Sequence, residues 1–177
     1  MGSEISHFTA KEGYRMQPIT AFTLRASDTE AITQPLYFNQ QATGVNIAGR
    51  QLEAQYRCTL PNGTQGYLLL TSYDCPFEES TECSLLDASF KLVASRSLSQ
   101  SYHSFLLYAH WPVADNGLRL HYYDQLVWDL HILSSRFGRF GGPRLEFNPV
   151  TEPESDPRTA SSMAELSQWL ANIETDR

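Results

Sequence analysis

LEAQYRCTLPNGTQGYLLLTSY, residues 52–73, sets two strand-like runs on either side of Asn62-Gly63. An Asn-Gly pair between such runs predicts a β-hairpin, because a two-residue type I′ turn needs φ > 0 at both central positions. That loop places Cys58 opposite Tyr67, Tyr56 opposite Leu69, Ala54 opposite Thr71 and Leu52 opposite Tyr73. One face of the hairpin is then almost wholly apolar. The other carries Glu53, Gln55, Arg57 and Thr59 against Ser72, Leu70, Leu68 and Gly66.

Two further hairpins follow downstream. Ser84-Leu85-Leu86 and Phe90 to Val93 flank Asp87-Ala88-Ser89, where the aspartate starts a turn. Asn116-Gly117, taken as a two-residue turn, puts Leu120 opposite Val113 and Tyr122 opposite Trp111. The same register sets His110 opposite Tyr123 and His121 opposite Pro112. A three-residue loop over Tyr123-Asp124-Gln125 then places Tyr122 opposite Leu126, Leu120 opposite Trp128 and Leu118 opposite Leu130. It also brings Arg119 across from Asp129, an opposite-charge cross-strand pair. A one-residue slip would turn that strand's apolar set toward water, so the three-residue loop is preferred.

Outside this region the pattern is looser. Residues 1–16 read as a poorly ordered N-terminus. Ile19, Thr20, Phe22 and Leu24 permit a strand that Ser27-Asp28 closes. Leu36 to Phe38, behind Pro35, suits an edge strand, and Val45 and Ile47 suit its neighbour. Residues 148–158 are rich in proline and acid and read as a linker. The last segment, 159–175, predicts an amphipathic helix, with Met163, Leu166, Leu170 and Ile173 on one stripe and Trp169 beside it. Ser162-Met163-Ala164-Glu165 matches a capping box. The expected fold is mainly β: residues 17–147 form one antiparallel, meander-type sheet, curved, half-barrel or sandwich, with the helix packed on the same domain.

Composition narrows the function classes. A chain of 177 residues can bury a core without disulfides or metals. The net charge of −7 disfavours nonspecific contact with nucleic acid or anionic membranes. Three cysteines with no CxxC element fit a reducing compartment, and a cytoplasmic location is expected. No apolar run approaches the ~20 residues of a spanning helix. Met1-Gly2-Ser3-Glu4-Ile5-Ser6 fits the loose acylation pattern, but no polybasic second anchor follows it.

No nucleotide, metal or nucleophile–base motif stands out, and no cofactor is implied. Cys58 falls on an inward strand face, where a thiol packs well and reacts poorly. Cys75 and Cys83 bracket an acidic loop whose charge suppresses a thiolate, so both read as plain thiols. His103, His110, His121 and His131 lack metal-ligand spacing. Arg136, Arg139 and Arg144, interleaved with Phe137, Phe140 and glycines, could hold an anion, or could simply offset nearby acids in a structural loop.

Two functional classes fit these residues. The first is a non-enzymatic inhibitor, immunity protein or adaptor that docks a basic partner protein. Asp74, Glu78, Glu79 and Glu82 would supply the charge and Phe77 an apolar anchor. The alternative is a small-ligand binder whose concave face is lined by Tyr56, Tyr67, Tyr73, Trp111 and Trp128.

Overall fold

The computed structural model describes residues 16–25, 31–75, 77–114, 116–138 and 141–175. Strands β1 (Met16–Pro18), β5 (Gln51–Thr59), β6 (Gln65–Ser72), β7 (Thr81–Asp87) and β8 (Leu92–Leu98) form one sheet, in the order β1-β5-β6-β7-β8. A second sheet has the order β12-β11-β10-β9: β9 spans Leu107–Val113, β10 Gly117–Tyr122, β11 Val127–Leu133 and β12 Arg144–Pro149. A third joins β2 (Phe22–Leu24), β3 (Thr33–Phe38) and β4 (Gln41–Ala48). Among the described residues all pairings are antiparallel, none of the sheets closes into a barrel, and one α-helix, α1 (Pro157–Thr175), follows the last strand. Among the described residues no helix is long and apolar enough to cross a membrane.

The sheets stack with the five-stranded one in the middle. Side chains alternate along a strand, so the apolar run of β6 serves two cores at once. Leu68 and Leu70 join Tyr56, Cys58, Leu85, Leu118, Leu120, Tyr122 and Leu130 on one face. Tyr67 and Leu69 join Phe22, Leu36, Ile47 and Leu86 on the other. In the second cluster Phe22 lies edge-on to Tyr67 with ring centroids 5.1 Å apart. Each fully buried leucine contributes about 1.5–3 kcal/mol of transfer free energy. Both faces of β6 are therefore interior.

The turns correct two registers expected from the residues. At Asn62-Gly63 the pairs are Tyr56 with Leu68, Arg57 with Tyr67 and Cys58 with Gly66, one residue away from the I′ register. Pro61 is the cause. Its fixed φ presets position i+1 of a type I turn, Gly63 N–H donates to Leu60 O at 2.8 Å, and Gly63 takes φ +85°. The result is a three-residue loop whose last residue is left-handed. The same geometry recurs with Phe90 (φ 66°) between Asp87 and Lys91, and with Gln125 (φ 68°) between Tyr122 and Leu126. Asn116 (φ 57°) provides the left-handed residue where β9 and β10 close at Val113 and Gly117. That turn replaces the expected two-residue one, so Leu120 faces His110, Arg119 faces Trp111 and His121 faces Ala109. A two-residue turn with both φ positive does occur, at Asn39-Gln40 between β3 and β4.

The β10–β11 register is the expected one: Leu120 faces Trp128, Leu118 faces Leu130 and Arg119 faces Asp129. Arg119 holds both oxygens of Asp129 at 2.8 Å. Its third nitrogen donates to Thr159 Oγ1 at 2.9 Å, which docks the start of α1 on the outer face of this sheet. The helix begins at Pro157, whose fixed φ suits the first helical position. Asp156, not Ser162, is the cap: its Oδ2 accepts from Thr159 N at 2.9 Å and Thr159 Oγ1 at 2.6 Å. Ser162 lies inside the helix, so no capping box forms there, and Glu165 instead accepts from Ser161 Oγ at 3.1 Å. On the predicted stripe Leu166 is fully buried, Met163 and Leu170 are half-buried and Ile173 is exposed.

Candidate functional site at the loop end of the sheets

Three connections meet at one end of the molecule. The 73–80 loop joins β6 to β7, and Thr81 pairs with Leu98, so the 99–106 loop leaves from the same end. Tyr122 pairs with Leu107, which brings the Tyr123-Asp124-Gln125 turn there as well. Hydrogen bonds tie the three together. Glu79 N–H donates to Ser104 Oγ at 3.0 Å, Phe105 N–H to Glu79 O at 2.9 Å, and Tyr123 N–H to Leu106 O at 3.0 Å. His103 Nε2 lies 2.6 Å from Asp124 Oδ2.

Glu79 organises the acidic loop from inside. Only 3% of it is exposed. Its carboxylate accepts the N–H groups of Tyr73 at 2.7 Å, Cys75 at 2.6 Å and Ser80 at 3.1 Å. A buried carboxylate survives when its oxygens are fully used, and bonds to a charged acceptor are the stronger kind. Glu79 is therefore removed from the expected contact surface, because its carboxylate is spent on the loop's own backbone. Glu82 is half-buried on β7 and accepts from Ser80 and Ser97 Oγ, both at 2.8 Å. Asp74 and Glu78 are exposed, and Phe77 projects into solvent with 86% of its surface free.

Other exposed aromatics line this end. Tyr102 on the 99–106 loop is 94% exposed, and Leu106, Tyr123 and Leu126 are partly open. Tyr123 meets Trp169 of α1 at a ring separation of 5.7 Å. A cleft of ≈ 180 Å³ between Gln51, Glu53, Asp74, Leu106 and Tyr123 opens among them.

The remaining candidates are dispersed. Tyr56 and Tyr67 lie on opposite faces of the middle sheet, Tyr73 donates to Ile32 O at 3.2 Å, and Trp128 packs beside the larger core. Trp111 is buried on the outer side of its sheet, with the Arg158 guanidinium 5.0 Å from its ring centre. These five rings do not line one concave face. Arg144 binds Glu146, and Arg136 reaches the same carboxylate at 3.9 Å; Arg139 lies outside the described residues. The bond from Arg144 holds the Glu146 carboxyl below its usual range. The three cysteines are free thiols. Burial pushes the Cys58 thiol up to about 12, and burial followed by Glu82 pushes Cys83 up as well. Cys75 is exposed.

One arrangement has no signal in the sequence. His121, fully buried under α1, bonds through Nδ1 to Ser162 Oγ at 2.8 Å and through Nε2 to Gln125 Oε1 at 3.1 Å. Ser162 lines a second cleft of ≈ 240 Å³ with Ala109, His110, Trp111, Arg158 and Glu165. Tyr56 OH lies 2.6 Å from His110 Nδ1. His121 and Ser162 are 41 residues apart, and no local motif joins a strand histidine to a helix serine at that distance. Among the described residues no group of three or more His, Cys, Asp or Glu side chains gathers as a metal would require. Comparison with family models, with curated proteins and with solved structures yields no match.

Proposed function

We propose that this chain is a protein-binding module, of the inhibitor, immunity-protein or adaptor kind, that docks a basic partner through the loop end of its sheets. The observation that carries this reading is Phe77. A large aromatic with 86% of its surface in water is costly, and it sits on a loop anchored from within by the Glu79 carboxylate. Preorganisation reduces the ordering entropy of binding, and aromatic anchors dominate interface energetics. Asp74 and Glu78 flank the ring as steering charges, in a chain of net charge −7. Glu79 supports the loop from behind, and Glu82 braces its C-terminal side.

The test separates steering from anchoring. Captured from the source organism, the partner of the wild-type chain should be lost with Phe77→Ala. Exposed charges are screened over ~8 Å at physiological salt. Asp74→Lys with Glu78→Lys should therefore slow association at low salt and converge on wild type at high salt. Phe77→Ala should leave association alone and speed dissociation about 30-fold, the equivalent of an anchor worth ~2 kcal/mol. Equal association and dissociation rates for all three proteins would remove this end from the interface.

A further inference from the structure

We propose that Ser162, His121 and Gln125 form a separate reactive site, in which a serine nucleophile served by a buried imidazole takes the acyl group of a small ester. The geometry sets each role. Gln125 Nε2 donates to Ser167 Oγ at 3.0 Å and toward Met163 O at 3.4 Å, which turns its Oε1 onto His121 Nε2. An amide oxygen can only accept, so His121 carries its proton on Nε2 and presents a lone pair at Nδ1. The Ser162 hydroxyl, 2.8 Å away, must then donate to that lone pair. This is the relation of nucleophile, base and orienting group that activates a serine. Neutral Gln125 stands where an acid often does, and is a positioning residue.

Burial keeps His121 in the neutral form that can act as a base, lowering its pKa from the ordinary 6.5. The surroundings of Ser162 name the substrate class. Arg158 lies one helical turn before it and lines the same ≈ 240 Å³ cleft, as does the Trp111 ring. A guanidinium there can meet the negative charge that develops on an ester carbonyl oxygen. The ring offers an apolar wall for a short acyl chain.

The chemistry balances without a further reactant except water. Ser162 Oγ bonds to the carbonyl carbon as its proton passes to His121 Nδ1. The carbon–oxygen bond to the leaving group breaks, and the departing alcohol takes that proton. Water then attacks the acyl carbon and gives a proton to Nδ1; the Oγ–carbon bond breaks, Oγ takes that proton back from Nδ1, and the acid is released. Because His121 is fully buried, delivering a water to be deprotonated at Nδ1 is the harder half, so that half is slow and the acyl form accumulates.

The probes are p-nitrophenyl acetate and an alkyl fluorophosphonate, used on the full chain. The expected result is a burst of one nitrophenolate per chain followed by slow turnover, with the phosphonyl group mapped by mass spectrometry to Ser162. The neighbouring Ser161, already bonded to Glu165, serves as the internal comparison. Ser162→Ala should abolish the burst, whereas Ser161→Ala should keep it. Gln125→Met should slow labelling by about 10²-fold, the scale of lost general-base assistance, and Gln125→Glu, which restores an acceptor oxygen, should recover it. Thermal midpoints of each variant confirm that the fold persists. Labelling of Ser161 as readily as Ser162, the absence of a burst, or equal rates for Gln125→Met and wild type would each overturn the proposal.

Discussion

Replacing Glu79 by alanine removes the acceptor of three amides, those of Tyr73, Cys75 and Ser80, the last of them buried. A buried donor left unpaired costs about 1–3 kcal/mol, so Glu79→Ala should lower stability by roughly 2–4 kcal/mol. Glu78→Ala, one residue earlier and exposed, should change it by less than about 0.5 kcal/mol. Denaturant midpoints for the two variants make the comparison, and equal midpoints would refute the anchoring role of Glu79. Composition could not separate these neighbours. Both are acids in one acidic stretch, and only the path of the backbone decides which carboxylate turns inward. Phe77 was legible as an apolar exception among charges, whereas His121 and Ser162 required the helix to be docked first.

At the scale of the element, the recurrent turn carries the lesson. The β10–β11 register could be read because two independent signals agree: the apolar alternation and the Arg119–Asp129 pair. At Asn62-Gly63 a single dipeptide signal was set against Pro61, and the proline prevailed because its φ is covalently fixed. The left-handed residue of that turn gives a clean test. A Cβ built on Gly63 would meet nothing within 4 Å, so any cost of substitution belongs to the backbone alone. Gly63→Ala should therefore destabilise by about 1–2 kcal/mol and Gly63→Asn by less, since asparagine tolerates the left-handed region. Thermal unfolding of both variants reads this directly; an alanine as stable as the asparagine would exclude the turn geometry. The helix starts earlier than its capping spacing predicts for a similar reason. Ser162 and Glu165 have the capping spacing, but Asp156-Pro157 lies earlier and offers both a cap and a preset φ.

At the scale of the whole molecule, the junction between α1 and its sheet should respond to mild acid. Burial, the first cause in each case, lowers the pKa of His110 and His121 below 6.5 in the folded chain. The unfolded chain then binds protons first as pH falls. The stabilisation is complete above the unfolded value and is lost progressively below it. The thermal midpoint should fall between about pH 7.5 and about pH 5.5, a range in which ordinary carboxylates stay ionised. In His121→Gln that slope should flatten, with the part owed to His110 remaining. A midpoint that rises on acidification over this range would contradict the burial of these rings.

The position of β6 has a consequence for the order in which the molecule comes apart. Its leucines belong by turns to the two clusters on either side, so neither flanking layer can close its interior unless this strand is already in place. The middle sheet is a party wall. Detaching the β2-β3-β4 layer would bare Tyr67 and Leu69 yet leave Leu68 and Leu70 covered, which permits partial opening from the outside inward but not the reverse. Amide hydrogens of β6 should therefore exchange with solvent only through global unfolding, while those of β2 and β4 exchange earlier. The chain would then behave as two rooms that can be vacated one at a time, with a shared wall that falls last.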